Sequence, residues 1–156
     1  MIKVYDRLYV GAEDSCIPGT DTLAVVHACK SPCHQTRVGY RGSLDRNHPS
    51  YLAVQDSHDL FLNIIDPPIP LFMAETFVTY LTFADSRWKR GEQILIHCNQ
   101  GESRAPSLAM LLMAKRFGVL SGSTFDTAAA EFQAIYPAYN PGQGIQTWLR
   151  KNWDTI

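Results

Sequence analysis

The stretch from Gln93 to Ala114 constrains this chain more than any other. Gln93-Ile94-Leu95-Ile96-His97 is short, apolar and preceded by Gly91, which predicts a strand. Pro106-Ser107-Leu108-Ala109-Met110-Leu111-Leu112-Met113-Ala114 is apolar almost throughout and predicts a buried helix over 105–117, with Gly118 beyond its end. Between them lies Cys98-Asn99-Gln100-Gly101-Glu102-Ser103-Arg104. A strand that passes through one glycine turn into a buried helix belongs near the middle of a layered α/β fold.

The rest of the chain supplies compatible pieces. Leu8-Tyr9-Val10-Gly11, Leu23–Ala28, Tyr51–Val54 and Leu60–Ile64 read as further strands. Residues 30–50 are rich in Gly, Pro, Ser, Asn and Asp and predict a long loop with room for a hairpin. Apolar residues recur at helical spacing over 70–89. Ser123 or Thr124 can cap a helix running to about Ile135, which must end near Pro137. A last short helix is expected over 143–153. Together these predict one domain over 1–156, of α/β class. Its central, mainly parallel but mixed sheet should have about four to five strands and helices on both faces.

Composition narrows the function. Charged residues are 19 % of the chain, apolar residues 46 %, and the net charge is −1. No basic field exists to draw in nucleic acid or an acidic membrane surface. The first residues lack the apolar core of a signal peptide, and no apolar run approaches the ~18 residues of a membrane span. A cytoplasmic monomer is expected. The four cysteines, Cys16, Cys29, Cys33 and Cys98, are too few and too scattered for a disulfide scaffold. Cys29-x3-Cys33-His34 has the look of a metal corner, but no second ligand pair follows at zinc-finger spacing, so no metal is expected. Any of Cys16, Cys29 or Cys33 could serve Cys98 as a redox partner.

The central segment carries chemistry. A thiol attacks as its thiolate, which helix N-terminal amides and a nearby arginine favour. The successive amides of Asn99, Gln100, Gly101, Glu102, Ser103 and Arg104 can close into an anion-binding nest. Gly101 permits torsions or a close approach that a side chain would block. Arg104 can grip two oxygens of a phosphate in a planar fork. Cys98 is thus a candidate nucleophile toward phosphorus, and a proton donor is needed for the leaving oxygen. Asp56, Asp59 and Asp66 lie upstream. Asp66 follows an apolar run and precedes Pro67-Pro68-Ile69-Pro70, on a stiff loop just past a strand end.

His97-Cys98-x5-Arg104 resembles the signature of the cysteine-dependent protein tyrosine phosphatases, and most closely the compact dual-specificity branch. The order of an early Leu-Tyr-Val-Gly strand, an acid-bearing loop, the signature and a helical C-terminus is similar too. The resemblance implies a hydrolase acting on phosphotyrosine, with phosphoserine and phosphothreonine as further substrates, in proteins or peptides. It implies a phosphocysteine intermediate and neither metal nor cofactor. The family's loop aspartate lies about thirty residues before the cysteine, which favours Asp66, 32 residues ahead of Cys98, over Asp59. Arg104 and the loop amides would stabilise the transferring group, and His97 would support the loop.

The pattern also has departures. Many family members carry Ser or Thr after the motif arginine, where this chain has Ala105, so slower breakdown of the phosphoenzyme is expected; Ser107 and Ser103 are the nearby hydroxyls. Glu102 should face solvent. The loop has no lysine of the sort that phosphoinositide-directed relatives use. The chain is short for an aromatic insertion that deepens the cleft, although Tyr40 or Tyr51 could wall one side. Three other readings remain: a non-catalytic phosphopeptide-binding module, a rhodanese-like sulfur transferase, and a 5′-RNA phosphatase, which the near-neutral charge does not favour.

Overall fold

A computed structural model describes all 156 residues. Six strands form one mixed sheet: β1 (Ile2–Tyr5), β2 (Leu8–Gly11), β3 (Leu23–His27), β4 (Ala53–Gln55), β5 (Asp59–Leu62) and β6 (Gln93–His97). Their order is β1-β2-β6-β3-β5-β4. The four inner strands run parallel, and β1 and β4 add antiparallel edges. β6 is central, with Val10 and Val26 level with Ile96 on its two sides.

Alternation along the inner strands splits the sheet into two faces. Ile94 and Ile96 of β6, Ala24 and Val26 of β3, and Leu60 and Leu62 of β5 join the main apolar core. Four long helices cover that face: α2 (Ala74–Lys89), α3 (Arg104–Lys115), α4 (Phe125–Ile135) and α5 (Gln143–Asn152). Every residue of α3 from Ala105 to Ala114 is buried, as its unbroken apolar run requires. In α2 the buried stripe is Phe77, Tyr80, Leu81 and Ala84, and the Tyr80 hydroxyl donates to the Leu108 carbonyl at 2.7 Å. Thr124 caps α4, its hydroxyl accepting from the Thr127 amide at 3.1 Å.

The opposite face is covered by short pieces. One is the turn Glu13–Ser15; the other is the helical run of Lys30–His34 and α1 (Gln35–Val38). The long loop expected over 30–50 is therefore helical in its first part, and no hairpin forms within it. The sheet also has one strand more than expected. β1 escaped notice because it is an edge strand with only Val4 buried, so its apolar signal is weak. Helix α2 begins at Ala74 rather than near 70: Pro68 and Pro70 hold the preceding segment extended, and Leu71 and Met73 are exposed.

Candidate active site

The loop after β6 is tied down on both sides. The Cys98 amide donates to the Gly11 carbonyl at 3.3 Å, which continues the β2–β6 pairing by one bond. Gly101 has φ +73°, and a Cβ there would sit 3.2 Å from that same carbonyl oxygen. Glycine is required on both counts. Helix α3 then begins at Arg104, with Ser103 in the capping position. Its first amides are donors that a helix leaves without internal partners.

The segment following α4 braces the loop from behind. The Tyr136 hydroxyl donates to the Gly101 carbonyl at 2.7 Å. The Asn140 amide donates to the Glu102 carbonyl at 2.8 Å, and the Gly142 amide to the Ser103 hydroxyl oxygen at 2.8 Å. Tyr139, buried, shares a 3.1 Å hydrogen bond with Ser107. Burial, with the Cys98 and Glu102 charges adding to it, pushes the Tyr136 hydroxyl above its usual range, so it stays a donor at neutral pH. Sequence reasoning missed this support. Tyr136-Pro137-Ala138-Tyr139-Asn140-Pro141-Gly142 reads as a helix stop, and the two buried tyrosines were its only clue. The hydroxyls of Ser103 and Ser107 are both committed to this bracing, whereas the side chain of Glu102 faces solvent, as expected.

Arg104 lies across the loop. Its Nη2 donates to Asn99 Oδ1 at 2.7 Å and its Nη1 to the Ile64 carbonyl at 3.1 Å, while its buried Nε has no partner. Asn99 is itself held, its Nδ2 donating to the Ser31 carbonyl at 3.0 Å. Cys98 at the loop's base is 2 % exposed. The larger surface cavities are lined by residues outside this loop. One of about 500 Å³ is lined by Arg46, His48, Tyr51 and Met73, and another of about 440 Å³ by Lys30, Tyr51, Asn63 and Leu71.

The three upstream aspartates fall in different places. Asp66 is exposed on the loop past β5, and its carboxylate lies against Gly142. That loop meets the signature loop directly through Ile64, which accepts from Arg104, and Gly142, against which Asp66 lies, donates to Ser103. Asp59 sits on the second face of the sheet, accepting from His27 Nε2 at 2.8 Å and from the Gly19 amide at 3.0 Å. Asp56 is paired with Arg37, whose hydrogen bonds hold its carboxyl below the usual range.

The Asp66 loop is clamped onto α5. The Gly144 amide donates to the Pro67 carbonyl at 3.2 Å, and a Cβ on Gly144 would collide with the Pro67 and Ile69 carbonyl oxygens. On a free helix surface Gly→Ala stabilises by about 1 kcal/mol. Here the sign is expected to reverse. Gly144→Ala should destabilise by about 1–3 kcal/mol, since backbone must move to admit the methyl group. Urea unfolding reads this as a lower midpoint at constant slope.

His97 joins a buried chain of polar groups. Its Nε2 lies 2.7 Å from His27 Nδ1, and His27 passes the chain on to Asp59. Burial pushes the His97 imidazole down to about 4, with the charge of His27 adding to the shift. Burial also lowers His27, partly offset by Asp59. Both rings are therefore neutral at physiological pH. His34, next to Cys33 in sequence, hydrogen-bonds Tyr40 and the Ser50 carbonyl. Tyr40 is thus tied to His34, while Tyr51 lines the neighbouring cavities. All four cysteines are free thiols.

No family model matches this chain, and no curated protein matches it in sequence. Solved structures match over nearly its whole length. Human DUSP28 is 14 % identical with a TM-score of 0.69, covering 99 % of this chain and 96 % of that one. The human tyrosine phosphatase-like serine/threonine/tyrosine-interacting protein is 18 % identical with a TM-score of 0.68, covering 98 % and 95 %. A mouse putative dual specificity phosphatase is 16 % identical with a TM-score of 0.64, covering 98 % and 86 %. The chain has the protein tyrosine phosphatase fold, in the compact form seen in dual-specificity phosphatases. No helix is long and apolar enough to cross a membrane.

Proposed function

We propose that this protein is a cysteine-dependent phosphoric monoester hydrolase acting on phosphotyrosine in proteins, and also on phosphoserine and phosphothreonine. One observation carries the reading: Cys98 directly follows the central strand at the base of a braced amide loop that runs into the N-terminus of α3, with Arg104 beside it and its buried Nε unpartnered. A buried N–H without a partner costs about 1–3 kcal/mol, and a bound oxyanion would relieve that cost. Phosphoryl transfer depends on such positioning and charge stabilisation more than on covalent help from the protein.

In this reading Arg104 exchanges Asn99 Oδ1 for a phosphate oxygen and keeps its anchor on Ile64. The Cys98 sulfur attacks phosphorus in line with the leaving oxygen. Asp66 gives that oxygen a proton as the P–O bond breaks. It then takes a proton from the water that attacks the phosphocysteine, and Cys98 leaves as thiolate. All of the chemistry comes from side chains and backbone amides. The four free thiols suit a reducing compartment such as the cytoplasm.

The test is release of inorganic phosphate from an aryl phosphate and from phosphotyrosyl, phosphoseryl and phosphothreonyl peptides. Asp66→Asn should leave turnover of a nitrophenyl phosphate, whose leaving group needs little protonation, within about tenfold. It should slow phosphoseryl peptide by about 10²–10⁴-fold, the usual worth of a general acid. Equal losses on both substrates would remove Asp66 from the acid role. The low exposure of Cys98 and the alanine after Arg104 favour a second reading, a phosphopeptide-binding module without turnover. Tight phosphopeptide binding with no phosphate released would establish it.

A further inference from the structure

Four side chains meet on the sheet face opposite the long helices. Cys16 follows the Glu13–Ser15 turn, His27 ends β3, Cys33 lies in the Lys30–His34 turn and His97 ends β6. One ligand atom from each lies within 4.8 Å of all the others. The Cys16 and Cys33 sulfurs are 3.5 Å apart, Cys16 Sγ is 3.9 Å from His27 Nδ1, and His27 Nδ1 is 2.7 Å from His97 Nε2. Tetrahedral zinc, with Zn–S of about 2.3 Å and Zn–N of about 2.05 Å, requires S–S near ~3.8 Å, S–N near ~3.6 Å and N–N near ~3.4 Å. Two of the three measured separations agree within about 0.3 Å, and the histidine pair has to open by about 0.7 Å.

We propose that Cys16, His27, Cys33 and His97 form a structural zinc site beneath the signature loop. Two thiolates and two imidazoles in a tetrahedron select zinc over the hard cations. A second, independent feature supports this. His27 would bind through Nδ1, and its other nitrogen already donates to Asp59 Oδ1 at 2.8 Å, with Asp59 held in turn by the Gly19 amide. A carboxylate behind a ligating histidine fixes its tautomer and raises its basicity. Binding displaces the two thiol protons to solvent, and the proton between the imidazoles moves to His97 Nδ1, which has no other partner.

The ligands come from four separate segments, all adjoining the base of the loop, so the metal would staple β3 and β6 together where Cys98 begins. Cys98 is not among the ligands, and the site is independent of the phosphatase reading. The linear spacing hides it. Cys16 and His27 are eleven residues apart, Cys33 follows by six, and His97 comes 64 residues later, so no motif of paired ligands appears.

The full chain, purified under reducing conditions without chelator from zinc-supplemented cells, is expected to carry one zinc per chain. Replacing zinc by Co²⁺ should give thiolate-to-cobalt charge transfer and the intense visible bands of a tetrahedral ion. Cys98→Ser should keep both properties. Cys16→Ser, at an exposed position, should fold normally by circular dichroism yet bind at least tenfold more weakly. Asp59→Asn should weaken binding 10–100-fold. Absence of stoichiometric metal, an octahedral cobalt spectrum, unchanged affinity in Cys16→Ser, or a Cys16–Cys33 disulfide in the freshly reduced protein would overturn the proposal.

Discussion

Cys98→Ser is expected to lower turnover of aryl phosphates and phosphotyrosyl peptides by at least about 10⁴-fold, because removing a nucleophile usually costs this much or more. The exchange of sulfur for oxygen is nearly isosteric at a residue that is 2 % exposed, so the fold should persist. What is lost is the sulfur that attacks phosphorus in the proposed mechanism. A serine hydroxyl would need a base to take its proton, and the adjacent His97 imidazole, pushed down to about 4 by burial, is a weak one. Phosphate release measured beside circular dichroism and oxyanion binding reads the result. A variant that keeps more than about one per cent of the activity would remove Cys98 from the nucleophile's place.

Arg104→Lys is expected to lower kcat/KM by about 10²–10³-fold, the usual cost of losing a preorganised donor to transition-state charge. Charge is conserved, but lysine cannot present two N–H groups in one plane. Its single nitrogen also cannot reproduce the two separate donor atoms that now hold the Ile64 carbonyl and Asn99. Because Ile64 begins the segment leading to Asp66, the substitution should loosen that loop as well. Inhibition by vanadate or tungstate should weaken in parallel. Full retention of both would show that Arg104 is not the oxyanion grip.

The central βα step was legible because one strand and one helix, each buried on its packing surfaces, must be apolar. β6 has the predicted bounds, and α3 begins and ends within one or two residues of its forecast. The loop was legible because cysteine, glycine and arginine each have a chemical reason for their spacing. Edge strand β1 left little trace, since one buried side chain is no pattern. Tyr136, Tyr139, Gly142 and Gly144 carried no signal of their own, although they brace the signature loop and the Asp66 loop. Their roles depend on contacts between residues 35 or more apart in several cases, which local periodicity does not encode. The Cys16, His27, Cys33 and His97 cluster was invisible for the same reason: the sheet, not the chain, assembles it.

The bracing of residues 101–103 by residues 136–142 has a consequence for biosynthesis. The nascent polypeptide exposes Cys98 about forty residues before the partners that immobilise its loop have been translated. Until residues 136–142 have emerged the thiol is carried on an unsupported turn, and a stop codon shortly after Ile135 would yield a sheet whose signature loop lacks these braces.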